Sequence, residues 1–355
     1  MIKQHNKVIV IAEVGVNHNG KIKIAKKMIK IAKNCGADYV KFQNWKANNL
    51  VTENAKMAPY QIKNTKKKQR QIDLLKPLEL KKNDYFILKT FANKNKINFL
   101  SSPFDEENYL FLTKNLKCKE IKIPSGEINN FLMLSNINLK KEYIFISTGM
   151  SNLEEIAHTL NFIAKKKVFK VKKSRIIIND KKKLLFLKKR LCLLHCVTDY
   201  PVDDKFANLN AIKTLEKEFQ LNVGYSDHTA GILAPIIAAS LGAKVIEKHI
   251  TLNKKLKGPD HKASLNPIEF KKMVKQIRKL ETMMGNGKKV LQKCEIKNIL
   301  IARKSIVAKK NIKQGQLFSN LNLGIKRPAG GINPSKYFNL IGKKSKKNYK
   351  IDQKI

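Results

Sequence analysis

The chain has 355 residues, of which 43% are hydrophobic and 28% charged, which is enough apolar material for a large core and excludes a disordered chain. Lys and Arg number 73 against 27 Asp and Glu, a formal charge of +46; the lysines are spread along the whole chain among abundant Ile and Asn, unlike the localised basic face of a nucleic-acid binder. No apolar run approaches the roughly 20 residues that cross a bilayer, and the opening MIKQHNKVIVIAEVG carries no export signal.

Five cysteines, Cys35, Cys118, Cys192, Cys196 and Cys294, form no CxxC pair. An odd number without metal or redox spacing fits reduced thiols and a cytoplasmic protein. Neither a nucleic acid nor a membrane is the expected partner.

Taken in chain order, short β-branched runs recur, each ending in polar residues and followed by a helix-length segment. They are VIVIAE to Glu13, DYVKFQ to Gln43, INFLSS to Ser102, EIKIPS to Ser125, YIFIST to Thr148, LCLLHC to Cys196, LNVGYS to Ser226 and KVIEKH to His249. Segments between them, such as KIAKKMIKIAKNCGA and APIIAASLGA, have helical spacing or alanine-rich composition with Gly at the following turn. Eight strand-helix units predict a (β/α)8 TIM barrel; a doubly wound open sheet is the alternative. In a barrel the catalytic groups gather at the C-terminal strand ends. Polar residues stand at those ends here: Glu13, Lys41, Gln43, Ser102, Lys122, Ser125, Ser147, His195, Ser226 to His228 and Glu247 to His249.

Two basic clusters, KKKVFKVKKSR near Lys165 and NDKKKLLFLKKR near Lys181, read as a solvated excursion between the fifth helix and the sixth strand. After Gly287 the pattern turns to short alternating strands and Gly turns. The expected division is a barrel domain over 1–285, a linker over 286–300 and a small β-rich domain over 301–355.

His228 and His249 end the seventh and eighth runs, so a barrel sets them side by side on one rim. Either alone is more often a structural histidine; together, with carboxylates nearby and open positions left over, they suit a divalent metal acting as a Lewis acid. Asp260 and His261, in KGPDHKAS, share that face, although Gly258-Pro259-Asp260 is also good turn chemistry. Lys41 and Lys122 lie inside strands, where an ammonium is costly unless it meets an anion or serves as a Schiff-base amine. With the hydroxyls of Ser125, Ser147 and Ser226 they describe a pocket for phosphate or carboxylate. A Schiff-base aldolase is the rival account, and a basic nucleic-acid-binding protein a more distant one.

These residues fall within IAEVGVNHNG, GADYVKFQ, SSPFD, KIPSGEINN, STGM, LLHCVTDYP, ANLNAI, GYSDHTAGI, LGAKVIEKHITL and GPDHKASL. In that order and over nearly the whole chain, they resemble the sialic acid synthases, which condense phosphoenolpyruvate with an N-acetylated amino-hexose. The tail, ARKSIVAKKNIKQGQ to IKRPAGGI, resembles the antifreeze-like (SAF, β-clip) domain that ends those enzymes. The resemblance implies a domain-swapped homodimer in which the tail of one chain covers the site of the other. It implies a manganese- or magnesium-type ion on His228 and His249, and phosphoenolpyruvate against Lys41, Lys122, Ser125, Ser147, Thr198 and Ser226. Glu13 and Asp260 would be catalytic. The open-chain sugar would meet Gln43, Asn64, Ser102, Phe104 and Tyr200, with Arg327 reaching in from the partner chain. Thr198 stands where some members carry Asn, and the basic segment near 165–190 is longer than the family usually has. The stretches NHNG and APYQIKN resemble the neuraminate and legionaminate branches more than the pseudaminate branch, which leaves N-acetylmannosamine and its 2,4-diacetamido-6-deoxy relative both open as the sugar.

Overall fold

Runs of β-branched and aromatic residues buried on both faces form parallel strands that must be covered on both sides. The computed structural model describes residues 7–355, and in it these runs are β1 (Ile9–Gly15), β2 (Tyr39–Asn44), β3 (Asn98–Pro103), β4 (Glu120–Ile123) and β5 (Tyr143–Ser147). An antiparallel hairpin, β6 (Phe169–Lys172) with β7 (Arg175–Ile178), follows; the parallel series then resumes with β8 (Leu191–Cys196), β9 (Asn222–Asp227) and β10 (Val245–His249). The eight parallel strands make one sheet in the order β3-β2-β1-β10-β9-β8-β5-β4. Its two end strands, β3 and β4, are consecutive in the chain and lie against each other. That order runs once around a ring, so the sheet is a nearly closed TIM-like barrel, and the doubly wound alternative is ruled out because such a sheet reverses its strand order at a switch point.

Inside the ring, one layer of side chains forms the plug: Ile11, Tyr39, Leu100, Phe145, Leu194 and Val245 pack together, separately from the helix-facing core. Gly224 belongs to the same level of β9. A Cβ there would lie 2.5 Å from the Val245 carbonyl oxygen and 2.6 Å from Leu194 Cδ2, so only Gly lets β9 fit between its neighbours.

Outside the ring, helices cover the strands with apolar stripes. The helix Ile22–Asn34 buries Ala25, Met28, Ile29 and Ala32, spaced three and four apart. The last helix of the ring, Pro267–Met284, opens with Pro at its first turn and a capping box: Asn266 Oδ1 accepts from Glu269 N at 3.0 Å and Glu269 Oε2 accepts from Asn266 N at 2.9 Å. Its Arg278 then donates to the Val8 carbonyl at 2.7 Å and to Asp38 Oδ2 at 2.8 Å, tying the end of the ring back to the entry of β1.

The basic excursion contains more regular structure than its charge pattern announced. The hairpin β6–β7 and a helix, Lys181–Lys188, lie between the helix Leu153–Ala164 and β8. Phe169 anchors the hairpin edge-on against Phe219, 5.3 Å between ring centres. The excursion feeds into the start of β8, so it belongs to the opposite end of the barrel from the strand termini that carry the polar groups.

The chain divides into two compact units after Gly285. In the second, β11 (Ser305–Ala308) pairs antiparallel with β12 (Leu323–Lys326), and Ile306, Ala308, Ile312, Phe318 and Leu323 form a small separate core. Its remaining pairing consists of single bridges such as Ile312 with Tyr349. The segment read as a linker is in part helical: Ile296–Ala302 is a short helix whose Leu300 carbonyl accepts from Ala329 N at 3.1 Å.

Candidate active site

Side chains on a strand alternate between faces, so the residue two positions beyond a plug residue points into the barrel one layer higher. From the plug residues Ile11, Tyr39, Leu100, Phe145, Leu194 and Val245, that step leads to Glu13, Lys41, Ser102, Ser147, Cys196 and Glu247. All six line one cavity of about 310 Å³ at the C-terminal mouth. Gln43, Lys122, Ser125, Thr198 and Ser226 line it too, as do Phe104, Tyr200, His228, His249 and Asp260. The same parity explains a correction. His195 lies one residue before Cys196 and faces the helices, where its Nε2 sits 2.9 Å from the Ala207 carbonyl.

The floor of the cavity is an alternating set of charges. Lys122 Nζ donates to Glu247 Oε1 at 3.0 Å, and Ser226 Oγ donates to the same oxygen at 2.9 Å. Lys41 Nζ lies 3.0 Å from Glu13 Oε2 and 3.4 Å from Glu247 Oε1, and donates to Ser102 Oγ at 3.2 Å. Gln43 Nε2 donates to the other Glu13 oxygen at 3.0 Å. Burial opposes every charge here, and neighbours decide the outcome. Burial pulls Lys41 down, but Glu13 and Glu247 together hold its ammonium above the usual lysine value. Lys122 has Glu247 as its main partner, and burial wins, leaving it below. Burial pushes Glu247 up, yet Lys122 and then Lys41 hold it well below the usual carboxylate range. Glu13 is raised, chiefly by burial against the opposing Lys41 charge.

Beside the lysines are hydroxyls without partners. Ser147 Oγ and Thr198 Oγ1 are buried and make no hydrogen bond, while Ser125 Oγ accepts from Gly149 N at 3.1 Å. A Cβ on Gly149 would lie 2.5 Å from Thr198 Oγ1 and 2.7 Å from Ser125 Oγ. Glycine here lets both hydroxyls approach the backbone more closely than a side chain would allow. Buried donors left unpaired cost free energy, and an anion with several oxygens satisfies them.

Across the cavity, His228 and His249 face each other with ring centres 5.5 Å apart, and Tyr200 lies 4.0 Å from the first ring and 5.6 Å from the second. His228 Nδ1 donates to the Val197 carbonyl at 2.7 Å, so the neutral ring carries its lone pair on Nε2; burial opposes a charge on this ring, but Cys196 and the Val197 carbonyl hold it above the usual imidazole value. His249 Nδ1 is buried without a hydrogen-bond partner, 3.8 Å from Asp260 Oδ2. Burial, reinforced by His228, holds His249 well below the usual imidazole value, so it is neutral, the form that ligates metal. Burial, with the Glu13 charge behind it, pushes Asp260 up to about 7. Metal–nitrogen bonds of about 2.0–2.1 Å let two rings at this separation share one ion, so the residues fit the divalent metal their positions implied. Among the described residues no three His, Cys, Asp or Glu side chains converge as a closed cage.

Two expected site residues stand elsewhere. Asn64 does not line the cavity; its amide donates to the Pro259 carbonyl at 2.7 Å and the Tyr200 carbonyl at 3.0 Å, bracing the loops that carry Asp260 and Tyr200. Arg327 belongs to the second unit, immediately after β12. Glu247, placed among the strand-end polar residues but given no role there, is the acceptor shared by both lysines and Ser226, and one residue, Glu127, was missed. Glu127, in the turn after Ser125, lines the cavity with its carboxyl raised by burial, and no periodic signal marks a turn.

Comparison with known proteins agrees with this geometry. A model of the NeuB family matches residues 28–289. The chain is 47% identical over 349 residues to the N,N'-diacetyllegionaminic acid synthase of Campylobacter jejuni, covering 98% of this chain and 99% of that one. It is 41% identical to the enzyme of the same name from Legionella pneumophila, over 96% and 90% of the two chains. The crystal structure of N-acetylneuraminic acid synthetase from Leptospira borgpetersenii superposes with a TM-score of 0.68 at 31% identity, covering 82% of this chain and 90% of that one. These observations together show that the chain belongs to the NeuB family.

Proposed function

We propose that this protein condenses phosphoenolpyruvate with an open-chain N-acetylated amino-hexose and water, yielding a nonulosonic acid and phosphate. The observation that carries the reading is the division of one pocket into an anion side, Lys41 and Lys122 beside the unpartnered hydroxyls of Ser147 and Thr198, and a carbonyl side, His228 facing His249. The preferred sugar is the 2,4-diacetamido-6-deoxy hexose, a choice supported by the names of the relatives at 47% and 41% identity.

Lys41 and Lys122 neutralise the carboxylate and phosphate of phosphoenolpyruvate, and Ser125, Ser147, Thr198 and Ser226 donate to its oxygens. Held so, its C3 is aimed at the sugar aldehyde. A divalent ion of the manganese or magnesium type, held by His228 and His249, supplies Lewis-acid polarisation of that aldehyde when bound. C3 attacks the aldehyde carbon, a carbon–carbon bond forms at the expense of the C=O π bond, the aldehyde oxygen takes a proton from solvent, to which Glu13 later returns one, and positive charge develops at C2. Water adds at C2 and passes its proton to Glu13, whose carboxylate burial makes a stronger base. The resulting hydroxyl gives its proton to the phosphate as the C2–O bond breaks, leaving the ketone. Asp260, Gln43, Ser102, Phe104 and Tyr200 hold the sugar, and Asn64 acts through the loops it braces.

The tail's likeness to an antifreeze-like domain supports a homodimer in which Arg327 of each chain reaches the other's site. The protein would act in the cytoplasm. The test is phosphate release from phosphoenolpyruvate across a panel of acetamido sugars, with and without chelator. Release that requires both the sugar and a divalent ion is the expected result. Chelator-insensitive turnover, with borohydride trapping of a keto substrate on Lys41 or Lys122, would favour the Schiff-base aldolase instead.

A further inference from the structure

The cavity has a third side whose chemistry differs from the other two. The excursion after β2 brings Leu50, Val51, Leu75 and Leu78 to the cavity, where they join Trp45 and Phe104 in an apolar cluster separate from both barrel cores. Trp45 and Phe104 meet edge-to-face, 5.8 Å between ring centres. Two amides of the same excursion reach the cavity, and they bond to each other: Gln71 Nε2 donates to Gln61 Oε1 at 3.3 Å, and that oxygen also accepts from Ala58 N at 2.9 Å. This side therefore offers mostly methyl and aromatic surface, with the buried, unpartnered Trp45 Nε1 as a donor suited to the carbonyl of a second acetamide.

We infer that this wall receives the methyl groups that distinguish a 2,4-diacetamido-6-deoxy hexose from N-acetylmannosamine, and that it determines which of the two is used. The inference rests on the condensation proposed above. The aldehyde end of the sugar is committed to the imidazoles, and phosphoenolpyruvate to the lysines and hydroxyls. The far end of the sugar, C4 to C6, is left to the remaining side. A 6-deoxy sugar puts a C6 methyl there and its second acetamide adds another, and both gain by burial. N-acetylmannosamine puts hydroxyls there, which lose water and find few partners. An apolar pocket rejects an added hydroxyl only moderately, by about 100-fold, so the selection is a strong preference and not an absolute one.

The experiment compares kcat/KM for the two sugars, by phosphate release, in the wild type and in Val51→Thr and Leu50→Gln. Both positions are only partly buried, so both variants should fold. The wild type should prefer the diacetamido sugar by on the order of 100-fold. Each variant should narrow that ratio by about 10-fold through the KM of the diacetamido sugar, with KM for phosphoenolpyruvate unchanged. A wild type indifferent to the two sugars, or variants that lower both rates equally and keep the ratio, would overturn the inference while leaving the condensation standing. Absence of phosphate release with either sugar would remove the condensation and the inference together.

Discussion

Asp227 and Lys248, each the residue immediately before one of the two cavity imidazoles, form an ion pair at 2.5 Å in which both side chains are fully buried. They are register partners on β9 and β10. The pair also grips the backbone after His228: Thr229 N donates to Asp227 Oδ1 at 2.8 Å, and Lys248 Nζ donates to the Thr229 carbonyl at 2.5 Å. One outward-facing contact thus fixes the two strand ends from which the imidazoles face inward.

Removing one member strands the other charge in the interior. Lys248→Met should therefore cost about 3–5 kcal/mol of stability, whereas the double variant Asp227→Asn/Lys248→Met should recover much of the loss. Urea denaturation midpoints check this. Because the pair positions His228, both variants should also bind Mn(II) more weakly than the wild type, which a purely structural role would not require of the restabilised double variant.

Gly149 lets the Thr198 and Ser125 hydroxyls close on the backbone, and a methyl group there would push both out of place. Gly149→Ala should raise the KM for phosphoenolpyruvate by about 10-fold or more, equivalent to about 1.4 kcal/mol, and leave the sugar KM little changed. Steady-state kinetics with each substrate varied separately reads this directly.

Glu247 sets the pH range over which the anion side works. Lys122 lies below the usual lysine value because burial outweighs its carboxylate partner. On the proposed reading phosphoenolpyruvate binds the ammonium form of Lys122, so affinity should be complete below the folded pKa of Lys122 and be lost as pH rises through it. Glu247→Gln removes the charge that opposes burial, lowers that pKa further, and should shift the alkaline loss of affinity to lower pH. Calorimetric titration with phosphoenolpyruvate across pH measures the shift, and an unmoved profile would count against the role given to Glu247.

The barrel was legible in the sequence because its strands are continuous β-branched runs, each closed by polar residues. The parity within a strand carried further information. It separates Cys196 from His195 and assigns Glu247 to the same face as His249, since on six strands a plug residue lies two before a site residue. Asn64 and Glu127 were not legible in this way, because they sit on turns and short helices whose direction depends on tertiary contacts. The hairpin at Phe169–Ile178 was hidden for a different reason: its lysines describe a solvated surface, and a single buried Phe169 is too slight a signal to imply an anchored β-ribbon.

The account turns on two imidazoles sharing one cation, and electron paramagnetic resonance of Mn(II) added to metal-stripped protein tests it most directly. One bound Mn(II) per chain is predicted, lost in both His228→Ala and His249→Ala, with a spectrum that changes when the diacetamido sugar is added. Equal Mn(II) binding by the wild type and both variants would contradict the account.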